Sequence, residues 1–310
     1  MVNQVLMFPG QGAQKVGMGQ DLAERFPEAK AVFELIDDAL GTHLSKIMWE
    51  GPEEELTLTH NAQPAILAHS MAVHALVKDR LQPMVAAGHS LGEYSAHAAV
   101  GALSVEDAAR LVRRRGELML EAGKARAGTM AAVLGLATDE VEAACKEAGG
   151  GGEVAVPANL NAPDQTVISG DPGAVERAGN ACKAAGARRV LPLTVSGAFH
   201  SPLMEPARKP LADALKETTF HESKIPVVAN AKAQAVQNAD QARALLDQQL
   251  VAPVRWVECM IEAESIAGSQ ALFVELGPGK VLAGLLKRII PGSTAMSLGT
   301  AEDVETFLEG

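Results

Sequence analysis

The feature that most constrains this chain is a strand-to-helix junction with a serine at its apex. The apolar run Pro83-Met84-Val85-Ala86-Ala87 leads into Gly88-His89-Ser90-Leu91-Gly92, and a small-residue helical segment follows from Tyr94 to Leu103. Gly-x-Ser-x-Gly between strand and helix lets the two elements close around a sharp turn and leaves the serine strained and exposed. At the helix N-terminus, unpaired amides and the helix dipole favour developing negative charge. An ordinary glycine-rich turn has the same spacing, but the strand before and the helix after point to a nucleophile.

The flanking sequence alternates between strand and helix patterns, which predicts an α/β fold with a parallel sheet. Val5 to Phe8 reads as a first strand running into Pro9-Gly10-Gln11-Gly12-Ala13-Gln14. That segment is either a tight turn or a loop whose amides approach a ligand, with Gln11 at the strand end where α/β sheets bind ligands. Helical pattern runs from Met18 to Leu40, interrupted near Pro27, and a buried helix runs from Pro64 to Val77. His69 and His74 in that helix read as packed or hydrogen-bonded residues. His97 is a reserve candidate for a general base, although two helical turns set it roughly 10 Å from Ser90 along the axis. Towards the C-terminus come a strand (Ile225–Asn230), two helices (Asp240–Leu250, then Trp256–Ala267), a strand (Ala271–Leu276), a helix (Val281–Ile290) and an edge strand (Ala295–Leu298). Gly277-Pro278-Gly279-Lys280 lacks the P-loop spacing and a Ser or Thr after the lysine, so it reads as a turn.

The middle of the chain has a different texture. Strands at Thr129–Leu136, Val154–Leu160, Gln165–Ser169 and Arg188–Val195, with a helix capped by Thr138 through Ala148 and another at Pro172–Ala185, follow the order βαββαβ. This is the ferredoxin-like arrangement. It predicts a small subdomain over 128–196 inserted into a large domain made of 1–127 and 197–310, with Gly128 and Ser196-Gly197 as hinges.

Two further residues are candidates for chemistry. Ser104-Val105-Glu106-Asp107 opens a helix to about Gly123, and Arg115 falls inside its apolar stripe of Ala108, Leu111, Val112, Leu118, Met119 and Ala122. A buried arginine must be paired. Its partner is either a protein carboxylate or a ligand carboxylate held by the guanidinium fork. His200, in Ser196-Gly197-Ala198-Phe199-His200-Ser201-Pro202, sits on a small-residue loop at the subdomain junction. It reads either as a general base or as a capping or surface histidine.

Composition excludes several classes. A net charge of −11 argues against nonspecific nucleic-acid binding, which needs basic surface to displace counterions. No apolar run reaches membrane-spanning length, and the first residues carry no secretory signal pattern. Cys145, Cys182 and Cys259 are too few and too widely spaced for a disulfide framework or a zinc site. Together these suit a cytoplasmic enzyme with no metal or tightly held cofactor.

The segments Phe8-Pro9-Gly10-Gln11-Gly12-Ala13-Gln14 and Gly88-His89-Ser90-Leu91-Gly92-Glu93-Tyr94-Ser95-Ala96 resemble the malonyl-CoA:acyl carrier protein transacylase family. So do Arg115-Gly116 with Met119, Phe199-His200-Ser201-Pro202-Leu203-Met204, and Gln249-Leu250 before Pro253-Val254-Arg255-Trp256. The resemblance covers essentially the whole chain, in family order, and extends to acyltransferase domains of polyketide synthases. It implies an α/β-hydrolase-like core with the ferredoxin-like insert. It also implies Ser90 as acyl-carrying nucleophile, His200 as base, and Gln11 and Leu91 as oxyanion-hole amides. Arg115 would clamp a malonyl carboxylate, Phe199 would crowd an α-methyl branch, and Gln249 would orient His200 through a carbonyl in place of a triad acid. The implied partners are malonyl-CoA and an acidic holo acyl carrier protein. On so acidic a chain the carrier would need a local basic patch, for which Arg188-Arg189 and Lys287-Arg288 are candidates. The rivals are a serine thioesterase or esterase, a polyketide malonyltransferase acting in trans, and a noncatalytic carrier-docking subunit.

Overall fold

The fold, taken from a computed structural model, describes residues 2–310. Among the described residues there are ten strands: β1 (Gln4–Phe8), β2 (Pro83–Gly88), β3 (Thr129–Leu134), β4 (Ala155–Ala162), β5 (Gln165–Gly170), β6 (Arg189–Pro192), β7 (Val227–Ala229), β8 (Gln234–Val236), β9 (Leu272–Leu276) and β10 (Thr294–Leu298). Six form one sheet in the order β10-β9-β1-β2-β7-β8, parallel except for the β7–β8 hairpin. The other four form an antiparallel sheet in the order β4-β5-β3-β6.

The larger sheet is buried on both faces, and side-chain alternation divides it between two cores. Leu6, Phe8, Ala86, Val227 and Val274 face the helices Pro27–Leu40, Thr59–Val77 and Val105–Ala125. Val5, Met7, Val85, Val228 and Phe273 face Trp256–Ala267 and Val281–Ile289, where Trp256, Cys259, Met260, Leu282 and Leu286 complete the packing. Continuous apolar runs such as Val5-Leu6-Met7-Phe8 are therefore central strands, while β10 lies at an edge, as its position in the sequence suggested.

The antiparallel sheet carries both its helices, Thr138–Ala148 and Pro172–Ala184, on one face around Val133, Val141, Ile168, Val175 and Cys182. Its other face sends Met130, Ala158 and Val167 into the core of the larger body. The chain enters and leaves this sheet side by side. A Cβ at Gly123 would stand 2.0 Å from the Ser196 carbonyl oxygen, and one at Gly128 would stand 2.6 Å from the Ala198 Cβ.

Several element limits differ from the sequence reading. The helix expected from Pro64 begins at Thr59, because Asn61 and Ala62 donate to the Leu58 carbonyl and close the first turn. Pro64 thus lies inside the helix, where it has no N–H to bond one turn back. Thr138 is the first helical residue and not the cap; that place belongs to Ala137, whose N–H reaches Glu140 Oε2 at 3.4 Å. Strand β6 ends at Pro192, the Leu193 N–H still donates to the Met130 carbonyl at 2.9 Å, and beyond it Thr194 and Val195 line a pocket.

Candidate active site

The elbow forms where β2 meets the helix Gly92–Ala99. Glycine is required at both ends: a Cβ at Gly88 would fall 1.9 Å from the Gly92 carbonyl carbon, and one at Gly92 would fall 2.2 Å from the Phe8 carbonyl oxygen. Ser90 between them has φ 54°, a left-handed conformation unfavourable for a serine. One side chain spans the strained turn. Asn230, directly after β7, accepts from the Ser90 N–H through Oδ1 at 2.7 Å and donates through Nδ2 to the Gly88 carbonyl at 2.8 Å.

His200 also has φ 54°. Its loop is fixed by Ser201, whose Oγ donates to the Ala198 carbonyl and accepts from the Leu203 N–H. The ring reaches the elbow with Nε2 at 2.8 Å from Ser90 Oγ. Nδ1 faces the main-chain carbonyls of Gln249 at 2.9 Å and Ala252 at 3.2 Å. Carbonyls only accept, so Nδ1 carries the hydrogen and Nε2 presents its lone pair to the serine. Burial, reinforced by the nearby Arg115 charge, pushes the His200 pKa down to about 3, so the ring is neutral at pH 7.

Arg115 is 1 % exposed, yet every hydrogen bond it makes goes to a neutral group. Nη1 donates to Gln63 Oε1 at 2.7 Å, and Nη2 donates to Gln249 Oε1 and to Ser90 Oγ, each at 3.0 Å. Nε has no partner among the described residues. Among the described residues no carboxylate takes the fork, so the ion pair with a protein carboxylate is not formed. Met119 holds the Gln63 amide from its other end, with Nε2 3.4 Å from its sulfur.

Ser90, His200 and Arg115 line a pocket of about 260 Å³ together with Gln11, Leu91, Phe199, Met119, Met130 and Leu193. The main-chain N–H groups of Gln11 and Leu91 donate to no acceptor among the described residues. The structure thus brings all seven expected site residues together. Gln249 meets two partners with different parts of the residue. Its main-chain carbonyl meets His200, whereas its side chain turns to Arg115 and, through Nε2, to the Ser90 carbonyl at 2.9 Å and Glu93 Oε2 at 2.8 Å.

Two loop carboxylates that fall between Ser90 and His200 in the sequence, Asp164 and Asp171, are engaged elsewhere: Asp171 pairs with Arg126 at 2.7 Å, and Asp164 pairs with Arg188 and Arg288. His97 is buried edge-on to Phe220 and does not reach Ser90, whose hydroxyl is taken by His200 and Arg115. His69 bonds the Gly299 carbonyl at 2.8 Å. Gln63, Asn230 and Glu93 carry no role in the sequence reading. A polar residue early in a buried helix was the available sign for Gln63, and a position just past a strand's C-terminal end was the sign for Asn230.

Residues 5–309 match the family of the acyl transferase domain. The chain is 43% identical to the malonyl CoA-acyl carrier protein transacylase of Escherichia coli K12, over all of both proteins. It is 42% identical to the Bacillus subtilis enzyme of the same name, covering 98% of this chain and 95% of that one. A malonyl-transacylase in complex with its type II polyketide acyl-carrier protein superimposes with TM-score 0.95 at 42% identity, over 99% of each chain. An acyl carrier protein S-malonyltransferase from Vibrio cholerae does so with TM-score 0.94 at 41% identity, over 98% of this chain and 99% of that one. Between the full-length match and the shared fold, this chain belongs to the acyl transferase domain family.

Proposed function

We propose that the chain transfers a malonyl group from malonyl-CoA to the phosphopantetheine thiol of an acyl carrier protein, supplying fatty acid biosynthesis. The observation that carries this reading is Arg115, a buried cation 3.0 Å from the nucleophile oxygen with no acid of its own. A malonyl ester on Ser90 carries its carboxylate two bonds from the acyl carbon. That charge complements a cation placed beside the ester oxygen.

The chemistry uses the groups already described. Ser90 Oγ attacks the thioester carbonyl while His200 Nε2 takes the hydroxyl proton. The oxyanion is met by the N–H groups of Gln11 and Leu91, each such donor contributing about 3 kcal/mol. The tetrahedral centre collapses, the C–S bond breaks, and CoA leaves with the proton from His200. In the second half, His200 deprotonates the carrier thiol, sulfur attacks malonyl-Ser90, the C–O bond breaks and Ser90 regains its proton. The Gln249 and Ala252 carbonyls hold the ring, and a neutral support takes the place of a triad acid. Phe199 at the pocket wall disfavours an α-methyl branch, by roughly 1–3 kcal/mol per methyl.

On this reading the larger sheet is an α/β-hydrolase-like core made of 1–127 and 197–310. The smaller unit, 128–196, is ferredoxin-like, which its strand order and βαββαβ connectivity support. The acidic carrier docks on a basic surface. Arg188 and Arg288 both pair with Asp164, so one member of each candidate pair, Arg188-Arg189 and Lys287-Arg288, meets at the same acid. No helix among the described residues is long and apolar enough to cross a membrane, and we place the enzyme in the cytoplasm.

The test is to mix the chain with malonyl-CoA, map the modified residue by mass spectrometry, then add holo carrier protein. The expected result is a malonyl ester on Ser90 that moves to the carrier with little free malonate. Release of malonate to water as the main product would make the chain a thioesterase and overturn the reading.

A further inference from the structure

Glu93 is the second residue of the helix that starts at the elbow, and none of its surface is exposed. Oε2 accepts from the Asn230 N–H at 2.9 Å and from Gln249 Nε2 at 2.8 Å, while Oε1 has no partner among the described residues. Burial pushes its pKa up to about 7, against the pull of these two donors and of the Arg115 charge. Burying an acid in this way is unfavourable, and the transfer chemistry above makes no use of it.

Its position suggests what it does. Arg115 only donates, so the Gln249 amide holds it only with oxygen turned towards the guanidinium. The nitrogen then needs acceptors, and it meets Glu93 Oε2, the Ser90 carbonyl and, more distantly at 3.4 Å, Asn230 Oδ1. A flipped amide would set its NH₂ against the guanidinium N–H groups and its oxygen against those acceptors. We propose that Glu93 is a positioning residue for substrate selection: its acceptor oxygen fixes which end of the Gln249 amide faces Arg115, and so holds the guanidinium ready for a substrate carboxylate. The acid is kept one amide away from the cation. It orients Arg115 without occupying the fork that a malonyl group needs.

This proposal rests on the malonyl reading, and its test separates the two. The measurement is kcat/KM for malonyl-CoA and for acetyl-CoA with the same holo carrier protein. Glu93→Leu removes the acceptor, and Glu93→Asp withdraws it by one methylene. Both are expected to lower the malonyl-to-acetyl ratio about tenfold, the scale of one hydrogen bond to a charged group. Glu93→Gln keeps an acceptor oxygen and is expected to hold the ratio within about threefold of the parent. If Glu93→Leu does not fold, Glu93→Asp decides. A ratio unchanged in every variant that folds, whatever the loss in melting temperature, makes Glu93 purely structural and overturns the proposal. A Gln variant as indiscriminate as the Asp or Leu variant overturns it too, since charge would then matter and not the acceptor. A parent enzyme with no malonyl preference overturns the functional reading itself and is seen before any variant is made.

Discussion

Arg288 and Arg115 are both held by side-chain oxygens, but the oxygens differ in charge. Near the surface, Arg288 and Arg188 converge on the carboxylate of Asp164, and Arg288 also bonds Gln165 Oε1. In the pocket, where an unpaired charge is far more unfavourable, Arg115 is given two amide oxygens and a hydroxyl. Stability alone would place the carboxylate where desolvation is greatest. The molecule does the reverse, leaving the buried cation solvated by neutral dipoles and still able to take an anion. The buried arginine and the surface arginine are thus held by opposite means, neutral dipoles in one case and a carboxylate in the other.

Removing the buried cation should have the largest effect. Arg115→Ala is expected to lower malonyl kcat/KM by about 100-fold or more, because buried charge–carboxylate contacts contribute roughly 3–5 kcal/mol when one partner is lost. Acetyl transfer should be retained or improved, since acetyl leaves the guanidinium unpaired in the parent. Steady-state kinetics with both thioesters checks this, and unchanged malonyl kinetics would remove the clamp. The same variant should alter pH dependence. Arg115 is the second cause, after burial, of the low His200 pKa. Without it the folded pKa rises towards the usual imidazole value of 6.5. His200 must be neutral to act as base, so acetyl transfer by Arg115→Ala should fall off at a higher pH than acetyl transfer by the parent. Coincident acid limbs would show that the charge does not reach the ring.

The pocket was legible in the sequence where local geometry dictates residue type. Gly88 and Gly92 are required by contacts of 1.9 and 2.2 Å, and Ser90 lies between them at a fixed spacing. Arg115 was legible as an inconsistency, a charge on an apolar helix face. Its partners were not, because Gln63 and Gln249 lie 52 and 134 residues away, and nothing local in their sequence points to a cation. A residue pattern also does not say which atom acts: Gln249 meets His200 with its main chain and Arg115 with its side chain. The short strand β8 and the helices Leu44–Glu50 and Glu53–Thr57 lack a long periodic pattern, and packing decides them.

The outer patch should respond to charge more weakly and more generally. Reversing Arg188 and Arg288 together to Glu is expected to raise the KM for carrier protein about tenfold at low salt, and less at high salt, with malonyl loading from CoA nearly unchanged. An unchanged KM at low salt would place the docking surface elsewhere.

The smallest effect and the sharpest contrast come from Asp164→Asn. Arg188 and Arg288 are 73% and 38% exposed at the side chain, and Asp164 is 44% exposed. Solvent screens such pairs, and losing one costs roughly 0–1 kcal/mol, so chemical denaturation should move little. If these arginines were structural, nothing else would follow. If the patch receives an acidic partner, removing the carboxylate that Arg188 and Arg288 share raises its positive charge, and the carrier protein KM should fall by a few-fold at low salt. The two arginine sites would then differ in how they are kept free for a ligand. The buried one is surrounded by neutral groups, whereas the surface one holds an acid so weakly that an incoming carboxylate can replace it.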